Sequence, residues 1–227
     1  MSKPIIIFGI GKIAEVVHYY ATVECGIKVS AFCVDAAFKT QTLFLNAPVV
    51  AFEEVGRLYP PSEYNMFVAV GYHDLNRLRA LKCEEAQSKG YELVSIVSTR
   101  AHLPSNVDFG WNCFIMPPAI IHPCVSLGND VFVWSGALIG HHSRVEDHCW
   151  ITSNCNVGGN VSIGKNTFLA VNATVGHSVK IGQNCFLGAN SLVTKELLDE
   201  QVVITESSKP IRLTSSQFLR MSNFSSL

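Results

Sequence analysis

The chain has 227 residues, 48% of them hydrophobic, and 17 Lys and Arg stand against 18 Asp and Glu for a formal charge of -1. With no Lys/Arg run to neutralise phosphates or anionic lipid heads, nucleic acid and membrane surfaces are not expected partners. The apolar content is enough for one large domain or two small ones.

The opening, MSKPIIIFGIGK, has an apolar core of about five residues, far short of a signal h-region or a membrane span, so a cytoplasmic location is expected. The 8 cysteines show no CxxC pair and no Cys/His zinc spacing. Free thiols and no metal site follow.

Residues 1–96 read as a small α/β unit. Pro4 to Phe8 is a buried strand, and Gly9-Ile10-Gly11-Lys12-Ile13-Ala14 turns into a helix running to about Glu24. A second strand runs from Lys28 to Val34 and ends at Asp35, a third from Asn65 to Val70 and ends at Gly71, and Leu75 to Lys89 reads as an amphipathic helix. A strand at Leu93 to Ile96 leads onward. This is a βαβ-type, half-Rossmann-like domain with a parallel sheet. Its GxGxxA turn would aim backbone N–H groups at a phosphate from a helix N-terminus. A dinucleotide enzyme would add Asp35 on the ribose, but no second nucleotide half follows, so a mononucleotide or nucleotide sugar fits better.

From Val97 the rhythm changes. Aliphatic or aromatic residues recur every six positions through Leu103, Phe109, Ile115, Ile121 and onward to Leu187 and Val193, seventeen in all without a miss. Four residues after each, from Phe109 to Leu187, stands a small one, including Cys113, Cys149, Cys155 and Cys185. A period of six fits neither a helix nor a simple alternating strand. Short extended segments joined by tight corners fit it: three hexads close one eighteen-residue coil of a triangular prism, and coils stack at about 4.8 Å. Residues 97–195 therefore form a parallel β-helix, and 196–227 a C-terminal strand or helix tail. His141 and His142 follow Ile139-Gly140 at outward phases. One coil beyond His141 is Gly159, so a glycine backbone should lie about 4.8 Å away on the same side.

A small α/β domain followed by hexads resembles the sugar acyltransferases of the sialic-acid O-acetyltransferase-like group, which includes N-acetyltransferases of nucleotide-linked 4-amino-4,6-dideoxy sugars. The likeness rests on Val70-Gly71-Tyr72 with Asn76 and Arg77, on WSGALIGHHSRVEDHCWITS from Trp134 to Ser153, and on GGNVSIGKNTFLAVNATV from Gly158 to Val175. It departs at the C-terminus, where Ser207-Ser208-Lys209-Pro210-Ile211-Arg212 stands in place of a Gly-x-Pro-Ala element.

The resemblance implies a left-handed β-helix, a homotrimer, and acetyl-CoA as co-substrate in a groove between neighbouring prisms. It places the catalytic histidine at His141 and the glycine that contacts the acetyl carbonyl at Gly159. Many members have Asp or Glu at the next position; here it is His142, counted with the catalytic set, and Glu146 and Asp147 are other candidates for orienting the base. Gly159, Ala170, Gly188 and Ala189 are the implied CoA contacts. Gly9, Gly11, Lys12, Asp35, Gly71, Tyr72, His73, Asn76 and Arg77 are expected at the nucleotide sugar. His177, two coils beyond His141, is read with His102, His122 and His148 as a solvated surface residue.

The expected activity is acetyl-CoA-dependent N-acetylation of a dTDP- or UDP-linked 4-amino-4,6-dideoxyhexose for a surface polysaccharide. O-acetylation of a sialic-acid-type sugar uses the same base and oxyanion donor. A non-catalytic hexapeptide scaffold is the reading from another class.

Overall fold

The computed structural model describes residues 3–222. The N-terminal unit holds a five-stranded sheet. β1 (Ile5–Phe8), β2 (Val29–Val34), β3 (Leu43–Phe44), β4 (Ala47–Ala51) and β5 (Asn65–Val68) lie in the order β3-β4-β2-β1-β5. β1 pairs in parallel with both β2 and β5, and β4 is parallel to β2. β3 folds back antiparallel on β4, so the sheet is mixed rather than purely parallel. The turn between them, Leu45-Asn46, has both residues at positive φ, the geometry of a two-residue hairpin. Sequence patterning alone left this hairpin and the short α2 (Val55–Leu58) unassigned, because their apolar runs are too brief to show a period.

Helix α1 (Lys12–Tyr19) ends in a π turn over Tyr20–Glu24. Helix α3 (Arg77–Ser88) departs from the expected amphipathic pattern: its buried face carries Arg79 and Lys82 as well as Cys83 and Ala86.

The prism follows the predicted register. Three parallel sheets share it, and up to Val193 each strand is two residues long and paired with the strand eighteen residues away, as in Ile139 on Val157 and Val133 on Ile151. Face I runs through the strands at Ser126, Arg144, Ser162 and Lys180, face II through Phe114, Phe132, Trp150 and Phe168, and face III through Ile120, Leu138, Asn156 and Thr174. The hexad positions from Ile115 to Val193 are buried, with the small corner residues among them. Phe109 departs: it is 41% exposed, because it lies near the open end of the prism. The coil also extends beyond the expected limits, with Ile96–Val97 and Val202–Val203 both joining face II.

Most corners turn through a left-handed residue at six-residue spacing: Asn112, Asp130, His142, His148, Asn154, Asn160, Asn166 and others have φ near 60°, whereas the corner at Pro118 follows a cis peptide bond. Asparagine is among the few side chains that tolerate this conformation well. Burial holds the core thiols of Cys113 and Cys149 up at about 12, so they act as small apolar fillers, not nucleophiles.

The N-terminal sheet docks on face II. Phe114, Phe132, Trp150 and Phe168, one per coil, point outward into a cluster with Ile5, Ile7, Phe32 and Phe67. Within this junction Arg79 is fully buried, with Nε 2.8 Å from Asp130 Oδ1 and its guanidinium 4.4 Å above the Phe132 ring. Asp130 also accepts from Asn112 Nδ2 at 2.7 Å and meets His148 Nδ1 at 2.9 Å. Asn112 in turn exchanges hydrogen bonds with the backbone of Val68 in β5. The C-terminal tail ends in α4 (Ser215–Met221), started by a capping box between Thr214 and Gln217. Among the described residues no helix is long and apolar enough to cross a membrane.

Candidate active site

Two sites take shape, on opposite sides of the prism. The first is a cavity of about 520 Å³ at the C-terminal ends of β1, β2 and β5. It gathers Gly11, Lys12, Asp35, Gly71 and His73 from the sequence-predicted set, with Phe8, Phe38, Leu78 and Lys82 completing its walls.

Its glycines separate into structural and open ones. A Cβ on Gly9 would stand 2.8 Å from the Ala69 carbonyl oxygen, at φ +120°, so strand packing demands this glycine. Gly11, the N-cap of α1, has φ -95° and nothing within 4 Å of a would-be Cβ. The fold does not require glycine there; open space above a helix N-terminus is what a phosphate needs.

Lys82, which sequence reasoning missed, reaches Asp35 at 2.8 Å and Glu85 at 2.9 Å. Burial pulls its ammonium down, but hydrogen bonds to the two carboxylates outweigh this and hold it above the usual lysine value.

Besides Gly9, three predicted substrate residues lie outside this cavity. Asn76 is buried and accepts from Arg79 at 3.0 Å. Arg77 turns to Asp74 and Asn184, and Tyr72 packs against Trp150 and Phe168 on face II. All three serve the junction between the domains. The signal for that junction was present as aromatics eighteen apart at Phe114, Phe132, Trp150, Phe168 and Phe186. Outward positions of a hexad are ordinarily solvated, so the stripe marks a covered face.

The second site lies at the corner joining faces III and I, opposite face II. His141 and Gly159 meet as the register requires: a Cβ on Gly159 would stand 2.7 Å from His141 Nε2 and 2.8 Å from Cε1. Any side chain at 159 would displace the imidazole. Asn160 N–H donates to the His141 carbonyl at 2.8 Å, which fixes the corner. His142 Nδ1 lies 3.1 Å from His141 Nδ1. From two coils away, the His177 ring approaches to 6.2 Å of the His141 ring across the gap that Gly159 leaves.

Glu146 and Asp147 sit at the next corner and engage elsewhere, Glu146 with Arg144 at 3.9 Å and Asp147 with Lys165 at 3.6 Å. Ala170, Gly188 and Ala189 line the other edge of face III from Gly159. Gly188 and Ala189 border a hollow closed by Ile204 to Ser208. Among the described residues no cluster of three or more His, Cys, Asp or Glu is placed to hold a metal ion.

A family model described as bacterial transferase hexapeptide (six repeats) matches residues 160–195. No curated protein matches. Among solved structures, the chain is similar to a histidine-to-asparagine mutant of perosamine N-acetyltransferase from Caulobacter crescentus in complex with CoA and GDP-perosamine. That match has 27% identity and a TM-score of 0.83, over 90% of this chain and 95% of the other. The acetyltransferase domain of PglB from Neisseria gonorrhoeae, in complex with acetyl coenzyme A, matches at 21% identity and TM-score 0.81, over 93% of this chain and 100% of that domain. WeeI from Acinetobacter baumannii matches at 16% identity and TM-score 0.78, over 90% and 97%. The fold is thus an α/β domain on a left-handed β-helix, and the chain is related to the hexapeptide-repeat acetyltransferases.

Proposed function

We propose that the protein is an acetyl-CoA-dependent N-acetyltransferase acting on a nucleotide-linked amino sugar, a 4-amino-4,6-dideoxyhexose. The observation that carries this reading is the imidazole of His141 lying against the bare backbone of Gly159.

The chemistry is direct transfer. The neutral amine of the sugar attacks the thioester carbonyl, and His141 Nε2 takes the proton that the new C–N bond releases. The Gly159 N–H donates to the tetrahedral oxyanion, whose collapse breaks the C–S bond. The proton on His141 then passes to the departing CoA sulfur, leaving an N-acetyl sugar and a free thiol. Gly159 leaves the slot that a thioester needs, since a Cβ there would fill it.

The nucleotide belongs in the cavity of the N-terminal domain, with its phosphates at Gly11 and Lys12 and its ribose near Asp35. His73 and Gly71 line the same cavity. Within one chain, this cavity and His141 lie on opposite sides of the prism. A single sugar nucleotide can reach both only if His141 comes from a neighbouring copy, and this supports a homotrimer with the site between subunits. The same arrangement would bring Gly159 of one prism toward Ala170, Gly188 or Ala189 of the next, as the two walls of a CoA groove.

The mutant relative crystallised with CoA and GDP-perosamine supports the amino-sugar class, and O-acetylation of a sugar would use the same two groups. The test is a thiol-release assay with acetyl-CoA and a panel of GDP-, UDP- and dTDP-linked 4-amino sugars, alongside sialic acid. Turnover of an amino sugar that His141→Ala loses is the expected result. Full activity in His141→Ala, or turnover of a hydroxyl acceptor alone, would overturn the reading.

A further inference from the structure

We infer that His142 is a positioning residue that holds His141 in the one tautomer able to act as a base, so that a neutral imidazole does what a carboxylate does in a histidine–carboxylate pair. The inference rests on reading His141 as the base.

The two Nδ1 atoms are 3.1 Å apart, a hydrogen-bond distance that admits one proton between them. If His142 donates, His141 keeps its own proton on Nε2, the atom that faces Gly159, and that atom is then a donor. If His141 donates, its Nε2 lone pair faces Gly159 and can accept a proton. Only the second arrangement serves the reaction, and it requires His142 to carry its proton on Nε2. Once His141 has taken the substrate's proton, its Nδ1–H becomes a charge-assisted donor to His142, and the bond strengthens as charge develops.

The backbone points the same way. His142 and His148 occupy left-handed corner positions, φ 59° and 61°, that this chain fills with asparagine at 112, 154, 160, 166, 172, 184 and 190. Histidine tolerates this conformation, and Cys124, Asp130 and Ser178 take equivalent corners, so what sets these two corners apart is the partner that each imidazole finds. At 148 Nδ1 meets buried Asp130 at 2.9 Å. At 142 the corresponding partner is His141.

Within one chain, among the described residues, no carboxylate oxygen comes within 4.0 Å of a ring nitrogen of either histidine, while His148 does have such a partner. By register the coil below brings His122, Pro123 and Cys124, and His142 N–H donates to the Pro123 carbonyl at 3.3 Å. From above come Gly159, Asn160 and, one coil further, His177. Arg144, the next charged residue along the chain, faces Glu146.

The tautomer can be read without any substrate. In full-length protein labelled with ¹⁵N-histidine, nitrogen shifts above the titration range should show His141 protonated at Nδ1 and His142 at Nε2; the reverse assignment would overturn the proposal. Kinetics gives a second readout from three variants with unbranched Cβ atoms, which share the same backbone strain and are compared after melting curves confirm folding. His142→Gln keeps an acceptor and should stay within about tenfold of wild-type kcat, whereas His142→Leu should lose roughly a hundredfold in kcat, with KM for the sugar unchanged. His142→Glu should remain active, with the acid limb of its kcat/KM profile moved to higher pH, because a carboxylate favours the imidazolium. Equal activity of the Leu and Gln variants would refute the positioning role. If the wild type acetylated no amino sugar, the functional reading would fall, while the NMR assignment would still decide the tautomer.

Discussion

The prism and the junction beside it are stabilised in opposite ways. In the prism each strand pairs with the one eighteen residues along, and aliphatic residues of the same phase stack into one continuous core. No single coil is indispensable, because each repeats its neighbour's contacts. At the junction, Arg79 meets Asp130 across 51 positions of sequence, and both side chains are fully buried. A repeat spreads its stability along its length; a domain interface concentrates it in a few groups that must all be satisfied together.

The largest expected effect tests that concentration. Arg79→Ala leaves the Asp130 carboxylate buried without its cation and should cost about 3–5 kcal/mol in urea unfolding. The double variant Arg79→Met with Asp130→Asn should recover much of this, since the charge is gone and asparagine suits the left-handed corner. A loss below 1 kcal/mol for Arg79→Ala would mean that the junction is held by its aromatic stripe alone.

Smaller effects should show the evenness of the prism. Ile139→Val and Ile163→Val, on different faces and coils, should each cost about 0.5–1.5 kcal/mol and agree within experimental error. A severalfold disagreement would break the picture of interchangeable coils.

The smallest effect lies where the chain passes into the prism. Glu24 bonds to Arg100 and Ser98, and these contacts hold its carboxyl below the usual glutamate range. A carboxyl lowered on folding contributes stability above its unfolded value, about 4.3, and loses it as pH falls through the folded one. Glu24→Gln should therefore flatten the decline of the urea midpoint below about pH 4 and leave a modest deficit at pH 7.

What could be read in advance tracks these two modes of construction. Adding eighteen to His141 was enough to find Gly159, because the parallel ladder fixes which residue lies above which. The cavity was partly legible, since Gly11, Lys12, Asp35, Gly71 and His73 do converge there. Asn76 and Arg77 were expected at the substrate, yet it is Arg79 that the fold buries and Asn76 that supports it. Nothing local distinguishes the two arginines two positions apart on one helix; the difference is which one meets Asp130.

By itself, then, the sequence determined the prism, its register, its buried phases and the pairing of an imidazole with a glycine. Each of these depends on spacing along the chain, and a six-residue period determines which residue stacks on which. The tertiary structure decided which face of the prism receives the N-terminal sheet, which arginine is buried beneath it, and that His141 faces away from the N-terminal cavity of its own chain. Those depend on contacts between segments with no common period, where burial and hydrogen-bond satisfaction choose the partner.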